Sequence, residues 1–345
     1  MKILHLLQSD RFSGAENVVC QIFGMLRDAP DIEMVYCSSD GQIREALAER
    51  GIRFIPLPTF TVGEIRKVLR AEQPDLIHAH DMRASFYAAR ACGKIPLISH
   101  IHNNNFDSRG ISPKSVAYLL AAQKARHIFW VSQSSFDGYA FHGLFAKKST
   151  VLYNIIDLAA TEAKMRLDTA DYPYDVAYVG RLTYQKDPER LMRVFRLVHE
   201  KLPQATFAVV GTGDLAEATQ ALAKEYGLDG CVHFLGYRQN PLKLLRDSKV
   251  MVMTSRFEGT PMCALEAQAL GVPIVSTPTD GLRDLIETGK NGVLADTDAA
   301  LADGVCALLC DADKRAKMSA AARAFAVRYN DMDAYRAALL AVYKA

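Results

Sequence analysis

The chain has 345 residues, 41 basic and 39 acidic side chains and a formal charge of +2, and half of its residues are apolar. That length suits two domains, and that apolar fraction is typical of a chain that folds, which excludes intrinsic disorder. So small a positive excess argues against nucleic-acid binding as the main role, because such binding rests on many cations neutralising phosphates.

The first apolar run, residues 3–7, is too short for the core of a secretory signal and has no small-residue cleavage site after it. No window approaches the roughly 18 apolar residues that a membrane span needs. The expected location is therefore cytoplasmic. The seven cysteines (20, 37, 92, 231, 263, 306 and 310) form no CxxC pair and read as buried thiols of a reducing compartment.

In chain order, short β-branched apolar runs at 2–7, 32–37, 53–55, 75–79, 96–101, 127–131 and 149–152 predict strands. Helical patterns lie between them at 15–28, 41–50, 62–72, 82–92 and 113–125. Residues 157–173 show no strand pattern and read as a linker region. A second series then predicts strands at 175–179, 205–210, 231–235, 249–253, 273–276 and 292–294. Its helices fit 187–201, 214–226, 240–247, 261–270, 281–287, 298–310 and 312–328. Two successive β-α series predict two Rossmann-like, doubly wound parallel-sheet domains facing a central cleft. The expected boundaries are 1–155 and 170–330.

The charges divide unevenly. Residues 1–155 carry 18 basic against 14 acidic side chains, and the remainder 23 against 25. The basic excess gathers at Arg109, Lys114, Lys124, Arg126, Lys147 and Lys148, near Phe141, Leu144 and Phe145, which read as exposed. One reading is peripheral contact with an anionic membrane or a lipid-linked acceptor; the simpler one is a solvated face.

Three loops carry the chemistry. Residues 256–271, RFEGTPMCALEAQALG, follow a predicted strand. Pro261 suits the first turn of a helix and Gly271 its stop. The free N–H groups of that helix would lie beside Gly259, Thr260, Pro261 and Met262, an arrangement that favours phosphate. Glu258 on the loop and Glu266 in the helix are carboxylates able to accept hydrogen bonds from sugar hydroxyls. Residues 179–188, VGRLTYQKDP, follow the first strand of the second series. There Gly180 allows close backbone approach, while Arg181 and Lys186 suit a diphosphate. Asp187 and Pro188 read as a helix cap and the first helical residue. In residues 13–16, SGAE, Gly14 joins the first strand to the first helix and would let a ligand approach its N-terminus.

These segments, with FAVVGTGDL, FLGY and the LEAQALGVPIVST run, resemble the retaining family 4 glycosyltransferases of the GT-B fold over nearly the whole chain. The resemblance implies a nucleotide-sugar donor, UDP-linked by family frequency, held mainly by the second domain. It implies that Arg181 and Lys186 bind the diphosphate, Glu258 faces the donor sugar and Glu266 the ribose. It also implies that the Gly14 loop closes over the donor. His102, at the end of a first-domain strand, matches the family histidine near the transferred sugar, and residues 331–345 match the helix that crosses back onto the first domain. The implied reaction moves a sugar to a glycan or lipid-linked acceptor in cell-surface polysaccharide synthesis, with no cofactor and no metal. The middle of the first domain, where acceptors bind, matches weakly, so the acceptor's identity is not carried over.

Other readings are weaker. Gly211-Thr212-Gly213 opens a dinucleotide-type GxGxxA fingerprint, but the next strand lacks the acidic residue an NAD(P)-dependent oxidoreductase needs. His78/His80 and His100/His102 are each paired at strand spacing and could be combined into a metal site, yet no carboxylate or cysteine cluster accompanies them. The pairs Asp296/Asp298, Asp311/Asp313 and Asp331/Asp333 fall at predicted helix starts and read as caps. A nucleotide-sugar epimerase of the same fold is the nearest alternative enzyme.

Overall fold

The computed structural model describes residues 1–102 and 110–345. Arg109 of the predicted basic cluster lies outside them. The chain divides into two compact units, residues 1–155 with 332–345, and residues 156–331.

The first unit runs β1 (Lys2–Leu6), α1 (Gly14–Met25), β2 (Glu33–Ser39), α2 (Ile43–Ala48), β3 (Phe54–Leu57), α3 (Val62–Glu72), β4 (Leu76–His80), α4 (Asp81–Ala91), β5 (Leu97–Ile101), α5 (Pro113–Lys124), β6 (His127–Trp130), α6 (Gln133–Gly138) and β7 (Ser149–Val151). Its seven strands are parallel in the order β3-β2-β1-β4-β5-β6-β7. Alternation along the strands divides the two faces. Leu4, Leu6, Ile77, Ala79, Leu97 and Ile101 join one apolar core with residues of α3, α4 and α5. The opposite face of the same strands carries His5, His78, His80 and His100, all buried.

The second unit runs α7 (Leu158–Arg166), β8 (Val176–Val179), α8 (Pro188–Lys201), β9 (Phe207–Val210), α9 (Ala216–Glu225), β10 (Val232–Gly236), α10 (Leu242–Asp247), β11 (Val250–Met253), α11 (Met262–Ala269), β12 (Ile274–Ser276), α12 (Asp280–Arg283), β13 (Gly292–Leu294), α13 (Asp298–Cys310) and α14 (Ala312–Tyr329). The strands are parallel in the order β10-β9-β8-β11-β12-β13. The last helix, α15 (Met332–Tyr343), belongs to the first unit. Both units are thus doubly wound, and in each the strand order reverses once, between β1 and β4 and between β8 and β11. Ligands of such sheets bind beyond the carboxyl ends of the strands at that reversal.

The apolar periodicity located every strand, but helices without an apolar stripe escaped it. Residues 157–173, a linker by their sequence pattern, contain α7, none of whose residues is buried. It is held by its cap, where Asp157 accepts from the Ala160 N–H at 2.9 Å. The basic cluster also needs correcting. Phe145 is buried in the first-unit core, while Leu144 is 72% exposed. Two of the cations are occupied at helix ends. Lys148 donates to the carbonyls of Gln123 and Ala125, and Arg126 to those of Val342 and Tyr343. Cations there satisfy carbonyls that a helix terminus leaves without partners. The acidic pairs behave as caps and ion-pair partners. Asp311 caps α14, and Asp298 accepts from Arg190 and Arg193 at 2.7 Å each.

Candidate functional site

In the second unit the loops after β8 and β11 leave neighbouring parallel strands at the reversal of strand order. They are laced together. The Arg256 N–H donates to the Gln185 carbonyl at 2.8 Å, and the Gln185 side chain donates to the Phe257 carbonyl at 3.1 Å. The Thr254 hydroxyl donates to the carbonyls of Lys186 and Asp187. Asp187 adopts a left-handed backbone, φ +48°, which few residues other than glycine tolerate. Its carboxylate helps to hold it there, capping α8 at the Arg190 N–H and pairing with Arg256 at 2.9 Å. Pro188 follows as the first helical residue.

This scaffold brings together residues 72 apart in sequence. Lys186 Nζ lies 2.5 Å from Glu258 Oε1, with the two side chains 12% and 5% exposed. The Ser255 hydroxyl donates to the same oxygen at 2.6 Å. Burial alone would lower the Lys186 pKa; the adjoining Glu258 carboxylate reverses that and holds it above the ordinary lysine value. Arg181 is exposed and rests lightly on Gln185, Nη2 to Oε1 at 3.2 Å. Its carbonyl accepts from the buried Tyr178 hydroxyl at 2.8 Å, which anchors the loop backbone.

Three glycines supporting these loops have no room for a side chain. A Cβ at Gly211 would lie 1.9 Å from the Gly180 carbonyl oxygen, and one at Gly213 would lie 2.1 Å from that of Leu182. The GxGxxA pattern is therefore accounted for by close packing beneath the loop that carries Arg181. Likewise a Cβ at Gly281 would lie 1.2 Å from the Gly259 oxygen, so α12 abuts the backbone just before α11. Gly259, Thr260, Pro261 and Met262 are all buried there. Pro261 is the residue preceding the first helical one, not the first itself. Gly271 ends the helix at φ +70°, as a left-handed stop requires. Glu266 lies within α11 and is partly buried. Loss of hydration raises its pKa to about 7, opposed by the Lys164 charge.

In the first unit, Gly14 is exposed and is the first residue of α1. The helix start is closed by the buried Glu16, which accepts from the Ser13 N–H at 3.1 Å and from its hydroxyl at 2.5 Å. His102 follows β5. Its N–H donates to Asp81 Oδ1 at 2.9 Å, and its Nε2 lies 2.9 Å from His80 Nδ1. Asp81 also has a left-handed backbone, φ +67°. Burial holds the His102 imidazole neutral, its pKa lowered to about 3.

Two family models divide the chain between them: Glycosyltransferase Family 4 matches residues 12–160 and Glycosyl transferases group 1 matches residues 161–325. The chain belongs to glycosyltransferase family 4. It is 24% identical over 327 residues to a UDP-Gal:alpha-D-GlcNAc-diphosphoundecaprenol alpha-1,3-galactosyltransferase of Escherichia coli, covering 85% of this chain and 84% of that one. An uncharacterized glycosyltransferase of Methanocaldococcus jannaschii is 28% identical over 240 residues, covering 62% of this chain. The chain spans only 58% of that archaeal relative's length. Among solved structures, Anabaena HepE in complex with UDP-glucose superposes with a TM-score of 0.86 at 24% identity, covering 100% of this chain and 99% of that one. The fold is GT-B.

Within this family 4 chain, the residues singled out in sequence fall into two sets. Gly180, Arg181, Lys186, Glu258, the 259–262 backbone and Glu266 lie on the loops and helix at the reversal point of the second sheet. In the first unit Gly14 opens α1 after β1, at the reversal point, whereas His102 follows β5, one strand beyond it. Sequence reasoning missed Ser255, Gln185, Tyr178 and Gly281, which hold the loops in place. The signal available for Gly281 was a glycine directly after the helix-starting Asp280; Ser255, Gln185 and Tyr178 had none.

Proposed function

We propose that the protein transfers a sugar from a UDP-sugar to a glycan or lipid-linked acceptor, with retention of configuration and without a metal, in cell-surface polysaccharide synthesis. The observation that carries the reading is the Lys186–Glu258 pair beside Arg181 at the reversal point of the second sheet. A nucleotide diphosphate needs cations at its phosphates and a polar acceptor at its sugar, and these three side chains offer both. Bond cleavage leaves charge on the departing phosphate, which Lys186, Arg181 and the N–H groups opening α11 would stabilise electrostatically. Once Lys186 turns to the phosphate, Glu258 is released to accept from a sugar hydroxyl. Glu266, in this reading, binds the ribose, Gly14 contacts the donor and His102 the transferred sugar. A metal is unnecessary because the two cations supply the neutralisation.

The UDP-glucose carried by HepE and the undecaprenol-linked acceptor named for the E. coli relative support the choice of donor nucleotide and acceptor class. Exposed Ile111, Val116, Leu120 and Leu144, near Lys114 and Lys147, support peripheral contact with an inner membrane face. No helix among the described residues is long and apolar enough to cross a membrane.

A donor screen by saturation-transfer NMR, followed by transfer to lipid-linked acceptors, tests the reading. The expected result is one preferred UDP-sugar, transfer undiminished after chelator treatment, and a product with the donor's anomeric configuration. An inverted product would contradict retention. Epimerised nucleotide sugar formed without acceptor would favour the epimerase.

A further inference from the structure

The histidine layer of the first unit contains more order than the family reading requires. His5 on β1, His80 on β4 and His102 after β5 form a line of imidazoles. His5 Nδ1 lies 3.0 Å from His80 Nε2, and His80 Nδ1 lies 2.9 Å from His102 Nε2. The rings of His5 and His80 lie at 16° to one another with centroids 5.3 Å apart, and those of His80 and His102 at 23° with centroids 5.2 Å apart. His5 is fully buried, His80 2% exposed and His102 7% exposed. Burial lowers the pKa of His5 to about 3 and drives that of His80 well down, so all three rings are neutral at physiological pH.

A neutral imidazole has one N–H donor and one bare nitrogen acceptor. This constrains the line. If His80 carries its proton on Nε2, that N–H donates to a bare His5 Nδ1, and its own bare Nδ1 must receive the N–H of His102 Nε2. If His80 carries the proton on Nδ1, both neighbours reverse. Any mixed arrangement sets two N–H groups or two lone pairs face to face across about 3 Å in a dry layer, and each such clash forfeits a buried hydrogen bond.

We propose that His5 and His80 are positioning residues that tie the tautomer of His102 to their own through this buried chain. His102 Nδ1, which has no partner among the described residues, is thereby held as a donor or as an acceptor by residues on two other strands, one of them two rings away. A lone histidine could change tautomer alone to suit any hydroxyl; a chained one changes only when all three rings change together. Its consequence for transfer rests on the placement of His102 near the transferred sugar proposed above, whereas the coupling does not.

A metal held by the same layer is a poorer fit. Nitrogens of His80, His100 and His102 come within 4.8 Å of one another, but zinc ligation at about 2.0–2.1 Å per nitrogen would compete for the atoms that already join His80 to His5 and His102.

Ring ¹⁵N–¹H correlation spectra of the histidine-labelled full-length protein test the coupling directly. The expected result is one tautomer common to His5, His80 and His102. Opposite tautomers in either neighbouring pair would overturn the proposal, and this arm needs no variant. In His5→Phe the His102 pattern should move towards a mixture of tautomers, and His5→Asn, whose amide reaches the Nδ1 position, should restore it. A His102 pattern unmoved in His5→Phe, with only a lowered Tm, would reduce His5 to packing and sink the idea. In transfer assays His5→Phe should lower kcat several-fold with the donor KM unchanged. A shifted ring pattern with normal kcat would keep the coupling and remove His102 from the reaction.

Discussion

The two sheets share the 3-2-1-4-5-6 strand order, and they differ in what their carboxyl ends present. In the second unit that end is ionic: Lys186 against Glu258, Arg256 against Asp187, and Arg181 exposed beside them. In the first it is a layer of neutral imidazoles, His5, His78, His80 and His100, closed by the Tyr343 hydroxyl 2.7 Å from His78 Nδ1. The same topology therefore supports two kinds of polar site. One is built of ion pairs, the other of neutral imidazoles in hydrogen-bonding contact. Lys148 and Arg126 of the first unit's basic cluster take no part in this contrast, since both donate to helix carbonyls.

The largest expected effect comes from breaking the ionic end. Lys186→Ala should lower turnover by about 10²–10³-fold, the usual loss for one preorganised charge-stabilising donor. It should also cost about 3 kcal/mol of stability by leaving Glu258 buried without its cation, and Lys186→Ala/Glu258→Gln should regain stability but not transfer. Arg181→Ala, at an exposed position, should approach the same kinetic loss with Tm nearly unchanged. Steady-state kinetics beside thermal melts separate the two.

Next is Gly281→Ala. The added Cβ cannot coexist with the Gly259 oxygen, so the loop before α11 must shift. Stability should fall by about 1–3 kcal/mol, as overpacking generally costs, and UDP affinity should fall with it while the folded far-UV spectrum is retained. Unchanged UDP affinity would separate that loop from the donor.

The smallest is a pH effect at Glu266. Its folded pKa, about 7, exceeds the ordinary 4.5, so the folded state binds a proton that the unfolded chain has already lost in this window. Its contribution to stability is thus fully present below about 4.5 and is lost as pH rises to about 7. The Tm difference between wild type and Glu266→Gln should change across pH 4.5–7 in that sense; a flat difference would show Glu266 to be hydrated.

Much of this was legible before any coordinates, because a parallel sheet buried on both faces writes each strand as a continuous apolar run. Helices without an apolar face, such as α7, left no such mark. The site was legible in pieces. Lys186 and Glu258 each stood out in a loop, but their contact follows from β8 lying beside β11, a strand adjacency that no local pattern encodes. The HAH and HIH pairs showed a shared face; that β1 adds His5 and α15 adds Tyr343 to it depends on strand order and on the return of the chain's last helix. Gly211 and Gly213 pointed to a cofactor loop, and only the 1.9 and 2.1 Å approaches to the Gly180 and Leu182 oxygens explain them otherwise.

The central claim is that the ionic end of the second sheet holds the donor's diphosphate. Calorimetric titration of the full-length protein with UDP and with uridine tests it most directly, in wild type and in Arg181→Ala/Lys186→Ala. The account predicts that UDP binds far more tightly than uridine to the wild type, and that the gap closes in the double variant through loss of UDP affinity alone. An undiminished preference for UDP in the double variant would contradict it.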